Sequence, residues 1–279
     1  MGKHRFETMT WPEARQAAEL GRVVLLPVGA IEQHGPHLPI DVDNRIVSWL
    51  CEEAARRDPD AILSTPPIHY GFNEHNMGFP GTITVEMEHF LHYVLDVCMS
   101  FVRQGHTRIV IVNGHGSNAM LCAQAARQVV NRSEDALAAA VNHWDLARGL
   151  AAKIRDTPIG GIAHACEYET SWYLFLDPDV VLMDQAALDM LERRTSYTWV
   201  DVMGGDGPVA LIDDWTRVSN GSGVEGDPRT ASAEKGRQYA EEEVQHLVRF
   251  CQEFRQMKVA PRRNYTARGG DLNPFSQMR

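Results

Sequence analysis

The sequence predicts a single-domain, three-layer α/β/α fold around a mostly parallel sheet. Short, uniformly apolar runs alternate along the chain with longer segments whose apolar positions recur at helical spacing, and polar, glycine-containing turns separate the two. That alternation is the pattern of strands covered on both faces by crossover helices.

The elements follow in order. Thr10 with Glu13 makes a capping-box pattern and Pro12 falls in the first turn, so a helix is expected to run to about Leu20. Val23 to Val28 is a short apolar run expected to form a strand buried on both faces. Asp43 to Arg57 has helical spacing, and Ala61 to Thr65 is the next strand candidate. Val85 to Gln104 is expected to be a helix, with Gly105 just past its end. Arg108 to Val112 is another buried strand, followed by Asn113-Gly114-His115-Gly116 and a helix from about Asn118. Leu137 to Val141 is a further strand, Thr170 to Leu176 is helical, and Asp177-Pro178 breaks that helix. Ser196 to Arg229, rich in Gly, Asp and Pro, is expected to be irregular, and Ala233 to Phe254 to be a long helix. Residues 1–256 are thus expected to form the domain and 257–279 a basic C-terminal tail, solvated or reaching a neighbouring subunit.

Composition narrows the function. The 279 residues are 44% hydrophobic and 23% charged, enough for a large core in a soluble protein. A formal net charge of -10 argues against a nucleic-acid partner, which needs a basic face, while leaving a small anionic substrate open. No apolar run approaches the ~18 residues of a membrane span, and the polar start lacks a signal-peptide core. The five cysteines, at 51, 98, 122, 166 and 251, are scattered without a CxxC pair and read as free thiols of a reducing cytoplasm.

The polar residues that follow the buried strands carry the chemical signal. Glu32 and His34 follow the first strand and His115 a later one, so both turns lie at strand carboxyl ends, where open α/β sheets bind ligands. Glu32 and His34 point to one side in extended backbone, and Asp43 opens a helix. Two carboxylates and two imidazoles suit Zn²⁺, Mn²⁺ or Fe²⁺. Each residue taken alone is equally a packing or turn residue; it is their convergence on one sheet edge that points to a metal site.

Five blocks then resemble the creatininase family: LPVGAIEQHGPHLPIDVD (26–43), GFNEHNMGFPGTITV (71–85), IVIVNGHGSN (109–118), HACEYETSWY (164–173) and GDPRTASAEKG (226–236). They occur in family order over nearly the whole chain. The resemblance implies a metal-dependent hydrolase holding two divalent ions, Zn²⁺ and/or Mn²⁺ with Fe²⁺ possible, on Glu32, His34, Asp43 and His115. Asp43 is the implied bridge, and a hydroxide between the ions is the implied nucleophile on a substrate carbonyl. Where creatininase has a further glutamate ligand this chain has Ser117, so Glu167 is expected to complete the set, with Glu169 in a supporting role. His164 matches the family histidine that protonates the leaving group. Trp144 matches a pocket aromatic or is a core tryptophan. Glu74 and His75, with Ser117, are expected to line the mouth of the site.

Gly160 and Ala163 stand where creatininase has a Trp and a Glu, which argues against creatinine as substrate. The expected substrate is a small, polar, cyclic amide or a formamide. The alternatives are carbon–carbon ring opening of an inositol-derived diketone, served by Asn73, Glu74, His75, Ser117 and Asn118, or a non-catalytic metal-stabilised ring. The resemblance also implies a homo-oligomer, a hexamer.

Overall fold

The computed structural model describes residues 2–190, 195–198, 200–204 and 207–263. Helix α1 spans Trp11–Glu19, with the capping box of Thr10 and Glu13 in place. Strand β1 (Val23–Val28) leads to α2 (Val42–Arg57), β2 (Ile62–Ser64), α3 (Met87–Arg103), β3 (Arg108–Asn113), α4 (Ala119–Arg132) and β4 (Leu137–Asn142). Then come α5 (Arg148–Ile154), β5 (Ile162–His164), α6 (Glu167–Leu176), α7 (Trp215–Val218), β6 (Glu225–Gly226) and α8 (Ala233–Gln256).

The main sheet has the order β2-β1-β3-β4 and is parallel throughout. Its alternate side chains feed two cores. Val24, Leu26, Ile109 and Ile111 pack with Phe90 and Val94 of α3 and Cys122 and Val129 of α4. Val23, Leu25, Val110 and Val112 pack with Leu50 and Ala54 of α2 and Leu247 and Phe254 of α8. The sheet therefore lies between two helical layers, as the doubly buried apolar runs of β1 and β3 require. All five cysteines are free and buried.

This topology places the site. β1 and β3 are neighbours, but β1 leaves into α2 on one face and β3 into α4 on the other. The crevice at their carboxyl ends is a topological switch point, where ligands of such sheets bind. Gly114 lets the two turns close on each other, since a Cβ there would lie 2.7 Å from Val47 and 2.8 Å from the Asp43 carbonyl.

Several elements differ from the sequence expectation. α5 and β5 were not expected, α3 starts at Met87 rather than Val85, and α6 starts at Glu167 rather than Thr170. Within the segment expected to be irregular, α7 and β6 form. β6 pairs antiparallel with β5, His164 opposite Glu225, so its stability comes from a partner some sixty residues away rather than from local pattern. In the expected tail, Arg262 donates to the carbonyls of Val130, Asn131 and Ser133, while 264–279 lie outside the described residues. No described helix is long and apolar enough to cross a membrane.

Candidate metal centre

The crevice brings Glu32, His34, Asp43 and His115 together, each no more than 3% exposed. His34 Nδ1 lies 3.1 Å from the Glu32 carbonyl and donates to it, which turns Nε2 toward Asp43 Oδ1 at 3.3 Å. His115 Nε2 donates to the Phe72 carbonyl at 3.1 Å, which turns Nδ1 toward Asp43 Oδ2 at 3.2 Å and Glu32 Oε2 at 2.7 Å. The two oxygens of Asp43 thus face two different imidazoles. Each imidazole is held by a backbone carbonyl in the tautomer that leaves its inner nitrogen free, the usual arrangement of a metal-ligating histidine.

Supporting residues fix these side chains. Asn113 accepts from the His115 amide and donates to the His115 carbonyl, clamping that turn. Asn118 accepts from the Phe72 amide and so holds the carbonyl that orients His115. Asn76 donates to Glu32 Oε1 at 2.6 Å. Asn76 was not foreseen; only its place in the GFNEHNMGFPG loop marked it.

Glu169 joins the cage, its Oε1 3.8 Å from His34 Nε2 and its Oε2 accepting from the Ala165 amide at 2.5 Å. Ala165 has φ +49, a left-handed conformation rare for a residue with a Cβ, and this turn sets His164 and Glu169 on the same side of the crevice. Glu167, expected to complete the ligand set, is not brought there. Its carboxylate accepts from the amides of Asp156 and Thr157, the Thr157 hydroxyl and Lys235 Nζ. At the start of α6 the two glutamates point to different partners, and the one expected to be supporting is the one that meets the cage.

The electrostatics call for cations. Glu32 and Asp43 are buried and Glu169, its side chain 13% exposed, lies beside them; burial, opposed by His34 but reinforced by Asp43 and Glu32, pushes Glu169 up to about 7. Against the cost of burial, Asp43 and its fellow acids raise His34 to about 9, and Glu32 and Asp43 raise His115 well above the ordinary histidine value. The inner imidazole nitrogens and the carboxylate oxygens face one another lone pair to lone pair, an arrangement that a cation between them would relieve. Glu32 Oε2, His34 Nε2 and Asp43 Oδ2 are enclosed without a hydrogen-bond partner. Ligating atoms of Glu32, His75 and His115, and of His34, Asp43 and Glu169, lie within 4.8 Å of one another in each set. This donor set, oxygen and imidazole nitrogen without thiolate, fits two divalent ions of the Zn²⁺ or Mn²⁺ kind.

His164 flanks the cage. Its Nε2 lies 2.7 Å from the Gln33 carbonyl and donates to it, and its ring lies 4.2 Å from that of His34, tilted by 39°. Burial, then the positive charge on His34, holds it neutral by pushing its pKa down to about 3. Trp215 of α7 packs edge-on against His164 at 4.2 Å and His75 at 5.0 Å. Trp215 was missed, because it comes from the segment expected to be irregular. Gly223 latches that segment, since its φ is +74 and a Cβ would lie 2.1 Å from the Gln33 side chain.

The remaining candidates divide. His75 lies beside His115 and contacts Ser117 Oγ at 3.3 Å, so both border the cage. Glu74 is exposed. Trp144 packs 5.4 Å from the His143 ring and, partly buried, lies against the core around Tyr168 and Trp172. Asn73 and Asn118 are fully buried; Asn118 is bonded to backbone through its oxygen and its nitrogen, while Asn73 donates to the Ile31 and Ile83 carbonyls and its Oδ1 has no partner.

Comparison with known proteins agrees with this architecture. A family model described as creatininase, creatinine amidohydrolase, matches residues 7–251. A mycofactocin precursor peptide peptidase of Mycobacterium ulcerans is 33% identical over 247 residues, covering 86% of this chain and 84% of that protein. A 3-dehydro-scyllo-inosose hydrolase of Thermotoga maritima is 27% identical over 271 residues, covering 89% of this chain and 83% of that protein. The solved structure of creatininase with Mn superposes with a TM-score of 0.79 at 25% identity, covering 91% of this chain and 100% of that one.

Proposed function

The chain belongs to the creatininase family of hydrolases, and on that premise we propose that it cleaves the amide or formamide bond of a small, polar, cyclic substrate at the cage. The observation that carries this reading is Asp43, whose two oxygens each face a different, carbonyl-anchored imidazole. Glu32, Asp43 and His115 would hold one ion, and His34, Asp43 and Glu169 the other. Two such ions supply a Lewis acid for the carbonyl and make water a nucleophile near neutral pH.

The protein's own groups do the rest. His164 is neutral and ties Nε2–H to Gln33, so Nδ1 is the nitrogen that takes the proton lost by the attacking water and returns it to the departing nitrogen. Gln33 keeps this histidine in one tautomer, and its amide is itself fixed on Gly223 and Asn76. Trp215 covers His164 and His75 and excludes bulk water from the transfer. Ser117 and His75 supply the polar contacts that orient a small ring. A cage this deeply buried favours a small substrate. A cytoplasmic location and a homo-oligomer, hexameric by resemblance, belong to the same reading.

The test is metal analysis followed by a hydrolysis screen of Mn²⁺- and Zn²⁺-loaded protein on cyclic amides, formamides, short peptides and cyclic ketones. Turnover is expected in the amide or formamide arm, and His115→Ala is expected to lose both metal and turnover. A His115→Ala protein with full metal content and full turnover sinks the assignment; turnover confined to cyclic ketones replaces amide cleavage with ring opening.

A further inference from the structure

We propose that Glu225 selects the substrate by accepting a positively charged nitrogen on it, an amidinium, guanidinium or primary ammonium, beside the cage. This rests on the hydrolase reading above and names the substrate class within it. Glu225 stands directly opposite His164 in the antiparallel β5–β6 pair. Opposed residues of such a pair project from the same face, their Cβ atoms ~5 Å apart. The register shifts between Ile162 and His164, yet Glu225 remains the strand partner of the histidine that borders the cage and is near enough to feel the charge of Glu32.

Its surroundings are unlike those of the other buried acids outside the cage among the described residues. Glu167 is saturated by Lys235, Thr157 and the Asp156 amide. Glu243 is bonded to His143, Tyr168 and Trp172. Asp201 is bonded to Arg155 and three backbone amides, and Asp189 to Asn220 and Ser222. Glu225, only 4% exposed, encloses an Oε1 that has no hydrogen-bond partner. The charges that act on it, Asp189 and Glu32, are both negative, and with burial they push it up to about 8. A buried carboxyl oxygen without a donor is costly to the fold, a cost that a ligand can relieve.

The form of the site chooses the ligand. Glu225 belongs to none of the described groups of converging metal ligands, and a lone carboxylate makes a poor metal site. A lone buried carboxyl suits an organic cation, whose N–H groups bring both the opposite charge and the donors that Oε1 lacks.

The experiment titrates metal-loaded protein with methylguanidinium and with N-methylurea, its neutral near-isostere, by ligand-observed NMR. The wild-type protein is expected to prefer methylguanidinium by about tenfold or more. Glu225→Gln is expected to remove the preference while metal content stays at the wild-type level. Equal affinity for the two probes, binding of neither, or a preference that survives in Glu225→Gln overturns the proposal. Should the variant not fold, the wild-type preference decides by itself. Metal analysis separates the two readings: a fully loaded protein without the preference loses only this inference, whereas a protein that takes up no metal loses both.

Discussion

Glu167 and Glu169 begin the same helix, two residues apart, and their surroundings could hardly differ more. Glu167 accepts from two backbone amides, a hydroxyl and an ammonium, so its charge is already balanced. Its carboxyl is accordingly held below the usual range, its burial outweighed by the bonds to Lys235 and Thr157. Glu169 has one amide donor from Ala165 and faces Asp43 and Glu32, acids like itself. Burial is common to both and decides nothing. What separates a residue that holds the fold from one that holds a ligand is whether the protein itself supplies the donors.

The largest expected effect tests the Glu169 side of the comparison. Glu169→Gln removes the charge that would hold the ion shared with His34 and Asp43, without removing any partner the fold needs. The variant is expected to fold normally and to bind one of its two ions at least ~100-fold more weakly, with hydrolysis falling in parallel. Calorimetric titration with Mn²⁺ reads this directly. Wild-type affinity for both ions in the variant would place the missing ligand elsewhere and dissolve the contrast.

The contrast also marks what the sequence could reveal. β1 and β3 were legible because strands buried on both faces are uniformly apolar, and the turns after them stood out as polar and glycine-bearing. Glu32, His34, Asp43 and His115 follow from those two turns, and the structure does bring them together. The choice between Glu167 and Glu169 was not legible, because it depends on Lys235 and Thr157, remote in sequence and visible only once α8 packs on α6. β5 and β6 are too short to show a period, and their pairing is non-local, so Glu225 opposite His164 left no local trace. Trp215 was hidden for the same reason: the chain around it has no pattern, and its place over His75 and His164 comes from tertiary contacts. Trp144 was left between a pocket aromatic and a core tryptophan, and it is partly buried against the cluster around Tyr168 and Trp172.

Glu167→Gln tests the other side and is expected to cost stability rather than metal. An amide nitrogen would face donors that now find an acceptor, and Lys235 would keep only Asp156 as its carboxylate partner. Denaturation should show a loss of about 3 kcal/mol, on the order of 10 °C in Tm, with Mn²⁺ affinity unchanged. Unchanged stability together with lost metal would exchange the roles of the two glutamates.

The smallest effect sharpens the comparison through pH. In the metal-free protein Glu169 is pushed up to about 7, Glu225 to about 8 and His34 to about 9. Each of these folded-state values lies above the ordinary value of 4.5 for glutamate or 6.5 for histidine, so the folded chain keeps protons that the unfolded chain releases. Their stabilisation is therefore complete below the ordinary value and is lost as pH rises through the raised one. All three act in the same direction, Glu169 up to about pH 7, Glu225 up to about 8 and His34 up to about 9, so the loss between pH 6.5 and about 9 comes mainly from Glu225 and His34. His164 and His37, pushed down to about 3 and about 4, act below that window, where they destabilise the fold as pH falls. Glu167, with its carboxyl lowered, contributes stability that is lost only on acidification, also below the window. The metal-free protein should consequently lose on the order of 5 °C in Tm across this range. Mn²⁺-loaded protein should lose less, because ions then occupy the place of the protons at His34 and Glu169 while Glu225 still titrates. Parallel thermal scans of the two forms measure the difference, and a metal-free protein whose Tm stays flat from pH 6.5 to 9 would mean that the acids of the cage do not crowd one another as Glu169's surroundings require.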